Sequence, residues 1–411
     1  MPASRVPLCA LVLAAGLALG GCKENLSPVP GPWTQVVAGD RFTCALDGAG
    51  AAWCWGTASF GQLGDNAVIA QSIPVPVAGG ITFGSLAAGN NHVCGIATDG
   101  AAWCWGHDDF GQLGASAGRC NGNVPVHCSS VPKAVGGGLA FDSIVLAAYA
   151  TCAIARGGMA WCWGWNDHGQ LGIGSAIGGV DTVPTPVSGG QLFRAISLDI
   201  NHACGVTSGG AAWCWGSNDF GQLAADTLQT PRCGSGVGFY CAISPVAAAS
   251  GLAVFSVSAG STHTCALAPG GAAYCWGSNE YGVLGDASAA GGRSPVRVTG
   301  GNVFVQVSSG ADHTCAVDAA SEAWCWGLDT FGQIGGTATS ACPAFGSAQM
   351  CAMQPTAVPG APPLVAVSAG SGHTCGLTSD GAIWCWGRGL EGQLGQGNGA
   401  SSAAPVRVLH P

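Results

Sequence analysis

A tetrapeptide, Trp-Cys-Trp-Gly, begins at Trp53, Trp103, Trp161, Trp213, Trp324 and Trp384, with a Tyr-Cys-Trp-Gly variant at Tyr274. The copies are spaced 50, 58, 52, 61, 50 and 60 residues apart. A recurrence of this length marks a propeller, a solenoid or an array. Each unit carries the same pieces: a β-rich start such as Val254 to Gly260, then His263-Thr264-Cys265-Ala266-Leu267, then Ala272 to Gly277, and a Pro-Val segment, Pro295 to Val298. These are short β-prone runs separated by Gly and Asp turns, about four to a unit. Four strands in each of seven units predicts an all-β, seven-bladed β-propeller of roughly 50-residue repeats. Residues 33–411 would form this single domain.

Several motifs in these units resemble the regulator of chromosome condensation repeat family. They are the Ala-Gly-x-x-His-Thr-Cys-Ala-Leu core, the Asp-Gly turns at Asp99-Gly100 and Asp380-Gly381, the Trp-Gly step, and Phe-Gly-Gln-Leu-Gly at Phe60 to Gly64 and Phe110 to Gly114. Variants of the last block stand at Gly169 to Gly172, Gly332 to Gly335 and Gly392 to Gly395. The resemblance runs over about residues 33–408 and implies contiguous blades around a central shaft. That family includes a Ran nucleotide exchange factor, plant light sensors and a secreted β-lactamase inhibitor, so the fold alone does not assign a function. The Gly-Trp-Arg-His-Thr motif of the light sensors is absent, and the fifteen Trp are expected to pack the core. Ring closure is expected from segments near Trp33 to Val37 and Pro405 to Val408.

The composition fits such a ring. Only 8% of the residues are charged, and blades buried on both faces need few charges. A formal net charge of −9 excludes a nucleic-acid binder, which needs a basic face. A hydrophobic content of 48% excludes disorder.

Cysteines follow the repeat. In every unit a Cys is followed ten residues later by the Cys of the tetrapeptide: Cys44 and Cys54, Cys94 and Cys104, Cys152 and Cys162, Cys204 and Cys214, Cys265 and Cys275, Cys315 and Cys325, Cys375 and Cys385. A turn midway places each pair opposite across a hairpin, near disulfide range. Six more, Cys120 and Cys128, Cys233 and Cys241, Cys342 and Cys351, fall in the connection before the Pro-Val strand of repeats two, four and six. Three disulfide-pinned loops are therefore expected on one rim. No metal site is expected, because no Cys-x-x-Cys occurs and Phe42 and Ala150 stand where other repeats carry His.

The first residues read as an address. Residues 1–21 carry Arg5 and then an uncharged apolar stretch, the pattern of a secretory signal, and Leu19-Gly20-Gly21-Cys22 resembles the bacterial lipobox. This reading makes Cys22 a lipidated anchor, residues 22–32 a tether, and the chain a bacterial secreted or outer-membrane lipoprotein of the cell envelope. Its membrane contact would run through the lipid alone.

No nucleophile elbow, P-loop, dinucleotide fingerprint, haem-attachment motif or zinc-protease motif is present, so no enzyme, catalytic residue or cofactor is expected. Asp108 and Asp109 are read as solvated neighbours. The pinned loops carry Arg119, His127, Lys133, Arg232, Phe239, Tyr240, Phe345, Met350 and Met353, side chains suited to anchoring a partner. The reading is a monomeric, surface-anchored protein-binding scaffold with an unknown protein partner, using those loops. Stapled surface insertions without a binding role are the competing account of the loops. A secreted enzyme inhibitor, or glycan binding or catalysis in the shaft, are the alternatives for the whole chain. Exchange activity on a Ran-like partner is not expected of a secreted chain, since that partner is nuclear.

Overall fold

The computed structural model describes residues 32–120, 126–175, 178–225, 232–233, 238–338, 340–342 and 346–410. Blade 1 is an antiparallel sheet of four strands in chain order, Trp33–Ala38, Phe42–Asp47, Ala52–Gly56 and Gln71–Pro76. Six more sheets repeat the pattern, with innermost strands Phe83–Ala88, Phe141–Leu146, Phe193–Asp199, Ser256–Ala259, Phe304–Ser309 and Leu364–Ala369 lining the shaft. The chain is an all-β, seven-bladed β-propeller.

Residue chemistry sorts the strands by depth. Second strands such as Phe42–Asp47 are buried at every position, because both faces meet neighbouring blades. Fourth strands carry Pro74, Pro184, Pro295 or Pro405 and are half-buried or exposed at nearly every position, and a ring nitrogen cannot donate to a further strand. The second Trp of each tetrapeptide is fully buried, whereas the first is fully buried only in blade 1. The glycine that closes the tetrapeptide has φ between 96° and 108° in all seven blades. At Gly56 an added Cβ would lie 2.5 Å from the Arg41 carbonyl oxygen, so both conformation and space demand glycine.

Cys44 lies opposite Cys54 in register, and the seven tetrapeptide cysteines are bonded to their partners ten residues earlier with Cα atoms 4.0–4.1 Å apart. Cys120–Cys128, Cys233–Cys241 and Cys342–Cys351 are also bonded. Blades 2, 4 and 6 differ from the four-strand expectation. A short fifth strand, Gly118–Arg119, Arg232–Cys233 or Ser340–Cys342, pairs with a lengthened fourth strand, so the pinned loops are hairpins that widen the sheet. The cysteine spacing of eight or nine residues holds the two arms side by side.

A relay of buried polar groups joins blade to blade. The indole N–H of Trp105 donates to the Gln62 carbonyl of the preceding blade at 3.0 Å, and each other second Trp makes the equivalent bond. At five joints a Thr hydroxyl donates to that same carbonyl and accepts from a His of the preceding blade: His92 to Thr151, His202 to Thr264, His263 to Thr314, His313 to Thr374 and His373 to Thr43, at 2.8–3.0 Å. The donating Thr requires the Nε2–H tautomer. Nδ1 of all five rings is buried without a partner. Burial holds His92, His202, His263 and His313 near a pKa of about 3 and His373 near about 4, so the rings are neutral. At the other two joints Phe42 precedes Val93, and Ala150 precedes Ala203.

Closure follows the same rules. Blade 7 and blade 1 are each built from their own repeat, and the Trp33 amide donates to the Gly381 carbonyl at 3.0 Å. Trp33, Trp55 and Val408 share one buried cluster.

Candidate functional site

In every blade the residue after the tetrapeptide donates its amide to the turn between the first two strands: Thr57 to Arg41, His107 to Asn91, Trp165 to Tyr149, Ser217 to Asn201, Ser278 to Thr262, Leu328 to Asp312 and Arg388 to Gly372. These turns rim one mouth of the shaft, so the loops after the tetrapeptides share that face. The pinned hairpins of blades 2, 4 and 6 rise from it too.

Each of these loops braces itself. Asp108 Oδ1 accepts from the Leu113 amide at 2.9 Å, and Asn166, Asn218, Asn279 and Asp329 do the same five residues upstream of a Leu or Ile amide. The Gln of the following block turns its Oε1 back onto the amide two residues earlier, as in Gln112 to Phe110 at 3.0 Å. What projects directly after the first brace is an acid and a ring: Asp109-Phe110, Asp167-His168, Asp219-Phe220 and Glu280-Tyr281.

The rings of the first four blades meet. Phe60 packs on His107 at 4.7 Å, and His107 on Tyr149 at 6.0 Å. Phe110 packs on Tyr149 at 4.9 Å and on Trp165 at 5.9 Å. Trp165 meets His168 at 5.4 Å, and His168 meets Phe239 at 4.5 Å. Seven rings thus form one band, and all but buried His107 are partly open to solvent.

Charge on this face is mostly acidic. Asp108 and Asp109 are not merely solvated. Burial raises Asp108 to about 6 against the Leu113 amide. Burial also pushes Asp109 up, but the His127 amide at 2.7 Å and the His107 ring at 3.0 Å outweigh it and hold the carboxyl below its usual range. Asp109 thereby ties the blade 2 hairpin to its loop, and Asp219 does so in blade 4 by accepting from the Tyr240 amide at 2.8 Å. At the shaft mouth Asp199 stands where five blades have a glycine. Burial and then the neighbouring Asp312 charge raise it to about 7, against the Ile200 amide. Asp312 is raised to about 6 by burial and then by Glu280.

The shaft mouth encloses about 330 Å³. In blades 4–7 its wall presents Ser197, Ser258, Ser308 and Ser368, and each hydroxyl accepts an amide of the next blade at 2.8–3.0 Å. Blades 1–3 present Val37, Ala87 and Val145 there. These four hydroxyls are therefore engaged at joints between blades, while Asn90, Asp199 and Ser261 also line the mouth. Among the described residues no group of three or more His, Cys, Asp or Glu is arranged to hold a metal ion.

The residues expected to bind divide among blades. Phe239 joins the aromatic band, while its neighbour Tyr240 lies under Arg293 at 5.5 Å. Arg119 is exposed and pairs in register with His127, whose ring nitrogen lies 3.4 Å from Asp109. Arg232 pairs in register with Tyr240. Met350 is exposed on blade 6, whereas Met353 packs against Leu328 and the blade 6 disulfide. Lys133 stands opposite Cys104 in the outer strand of blade 2. Phe345 and Cys22 lie outside the described residues. The band's other members, Phe60, His107, Phe110, Tyr149, Trp165 and His168, escaped the sequence reading; the recurring acid-aromatic pair before Gly-Gln was the available signal.

The model of the RCC1-like domain matches residues 19–299, and that of the regulator of chromosome condensation (RCC1) repeat matches 304–333, 364–393 and 380–411. The chain is 26% identical over 280 residues to the ultraviolet-B receptor UVR8 of Arabidopsis thaliana, covering 66% of this chain and 58% of the receptor. It is 31% identical over 149 residues to the probable E3 ubiquitin-protein ligase HERC6 of Homo sapiens, covering 33% of this chain and 13% of the ligase. It therefore spans less than two thirds of the curated relatives it matches. Yeast RCC1 (Prp20) bound to Kap60 superposes with a TM-score of 0.74 at 18% identity over 97% of this chain and 91% of that one. Human WBSCR16 does so with 0.69 at 17% identity, over 86% and 88%. At these identities the likeness is one of fold.

These relatives correct the account of origin and place. They come from a plant, human and yeast, and they replace the bacterial lipoprotein reading. With it go the lipid anchor at Cys22, the envelope or secreted location, the surface-anchored scaffold built on the pinned loops, and the secreted-inhibitor alternative. The exclusion of a Ran-like partner rested on secretion and falls as well. A partner reached through a lipid-anchored surface gives way to relatives that are solved with, or studied for, specific protein partners.

Proposed function

The chain belongs to the RCC1-like domain family, and from that premise we propose that it docks a protein partner, without catalysis, on the face around the shaft mouth. The contact is the aromatic band of blades 1–4. The observation that carries this reading is the continuity of the band from Phe60 to Phe239, built from four blades and held by self-braced loops. Rings already fixed in place lose little freedom on association, and partly exposed aromatic side chains dominate interface energetics. Yeast Prp20 has been crystallised with Kap60 and studied for binding to Gsp1p and histones, so protein docking has precedent on this fold.

Capture by immobilised full-length protein tests the reading. Phe110→Ser with Trp165→Ser should remove the partner while leaving the urea midpoint close to wild type. Met159→Ser with Leu192→Ser, which alters exposed side chains on the opposite face, should retain it. Retention in the first variant, or loss only in the second, would place the contact elsewhere.

A further inference from the structure

The docking face carries a charge pattern that names the chemistry of its partner. Asp109, Asp167, Asp219 and Glu280 recur at one loop position on four consecutive blades, each directly before a ring, and Asp199 and Asp312 stand at the mouth inside them. Asp109 engages two histidines. Asp167, Asp219, Glu280, Asp199 and Asp312 form no ion pair among the described residues. Carboxylates left close together without a counter-ion favour a cation arriving from outside.

The molecule also shows how a guanidinium sits here. Arg388 of blade 7 lies over the Phe331 ring of blade 6, 5.2 Å from its centroid, and forks onto Glu391 at 2.7 and 3.1 Å. This is the arrangement expected of arginine between a ring face and a carboxylate. Phe220 occupies in blade 4 the loop position that Phe331 occupies in blade 6. The residue of the next blade that corresponds to Arg388 is Ser278, too short to cover a ring. Phe220 is 46% exposed, and no arginine or lysine of the described residues lies over it.

Resting on the docking reading above, we propose that the partner presents a basic segment here. An arginine of that segment covers Phe220 as Arg388 covers Phe331, with Asp219 and Glu280 of the adjoining blades as its counter-ions. Phosphate-bearing ligands are repelled by the same carboxylates, which excludes nucleic acid as the occupant.

Fluorescence anisotropy on the full-length protein tests this with a labelled peptide of alternating arginine and serine, and with the same peptide carrying lysine or neutral citrulline for arginine. The arginine peptide should bind about tenfold more tightly than the citrulline one, with lysine between them. Raising NaCl from about 50 to about 300 mM should weaken it several-fold. Phe220→Ala, and Asp219→Asn with Glu280→Gln, should each cost about five- to tenfold without moving the urea midpoint. Ser278→Arg should weaken binding at least as much, by covering the ring from within as in blade 7. Equal binding of the citrulline peptide, or affinity unchanged by both Phe220→Ala and Ser278→Arg, overturns the proposal. If partner capture depends on Phe110 and Trp165 while no arginine peptide binds, the basic partner is wrong and the docking face stands.

Discussion

Five of the seven joints between blades are polar and two are apolar, and the pairing is strict. Where a blade offers His92, His202, His263, His313 or His373, the next offers Thr151, Thr264, Thr314, Thr374 or Thr43. Where a blade offers Phe42 or Ala150, the next offers Val93 or Ala203, all of them buried. The two kinds of joint close the same ring equally well, which teaches that the rule is satisfaction rather than polarity. The buried hydroxyl and the ring Nε2 that faces it are present together or absent together.

The largest expected effect comes from stranding one partner. Thr264→Val removes an acceptor from His202 and a donor from the Gln222 carbonyl at a fully buried joint. It should cost about 2–4 kcal/mol in urea unfolding. Adding His202→Ala to it, in imitation of the Ala150 joint, should recover part of that loss; no recovery would refute the pairing rule. The reverse experiment is smaller. Val93→Thr places a hydroxyl where Phe42 offers nothing, and should cost about 1–3 kcal/mol.

Acid sharpens the comparison further. Burial lowers the five His, so between about pH 6.5 and about pH 3 the unfolded chain takes up protons that the folded chain refuses. Their contribution to stability is present above pH 6.5 and lost as pH falls through that window. Asp108, Asp199, Asp312 and Asp329 are raised to about 6, 7, 6 and 6, so they stabilise as pH falls toward 4 and oppose the histidines. Wild type should therefore show a shallow pH dependence of the urea midpoint between about pH 4 and 6. Asp199→Asn with Asp312→Asn should steepen the acid loss. Converting the His92 joint to an apolar pair should flatten it by about one proton, or about 1.4 kcal/mol per pH unit at most. The smallest effect is at neutral pH, where Asp199→Asn alone should raise stability slightly by removing a disfavoured buried charge; a fall there would contradict the raised carboxyl.

Much of this ring was legible in the chain. The spacing of Trp-Cys-Trp-Gly located all seven blades, and Pro74, Pro184, Pro295 and Pro405 already marked the outer strands. The fifth strands of blades 2, 4 and 6 were visible only as cysteine-bearing insertions, because two- or three-residue strands carry no period of their own. His263-Thr264 looked like one structural unit. The structure divides it between two joints, since neighbours on a strand point to opposite faces. Phe42 and Ala150, read as mere gaps in the histidine series, are halves of apolar joints whose other halves lie in the next repeat.

Repetition alone determined the blade count, the strand order and the register of the tetrapeptide cysteines, because each of these depends on residues within one repeat. The docking face was decided by tertiary structure. Phe60, Phe110, Trp165 and Phe239 stand up to 179 residues apart in the chain, and only the closed ring turns their loops to one side and brings them into a single band. Phe220 and Ser278 likewise make an uncovered ring only when blade 5 is set beside blade 4. Contacts within a repeat leave a local pattern in sequence; contacts between repeats depend on which side chain the next blade happens to supply.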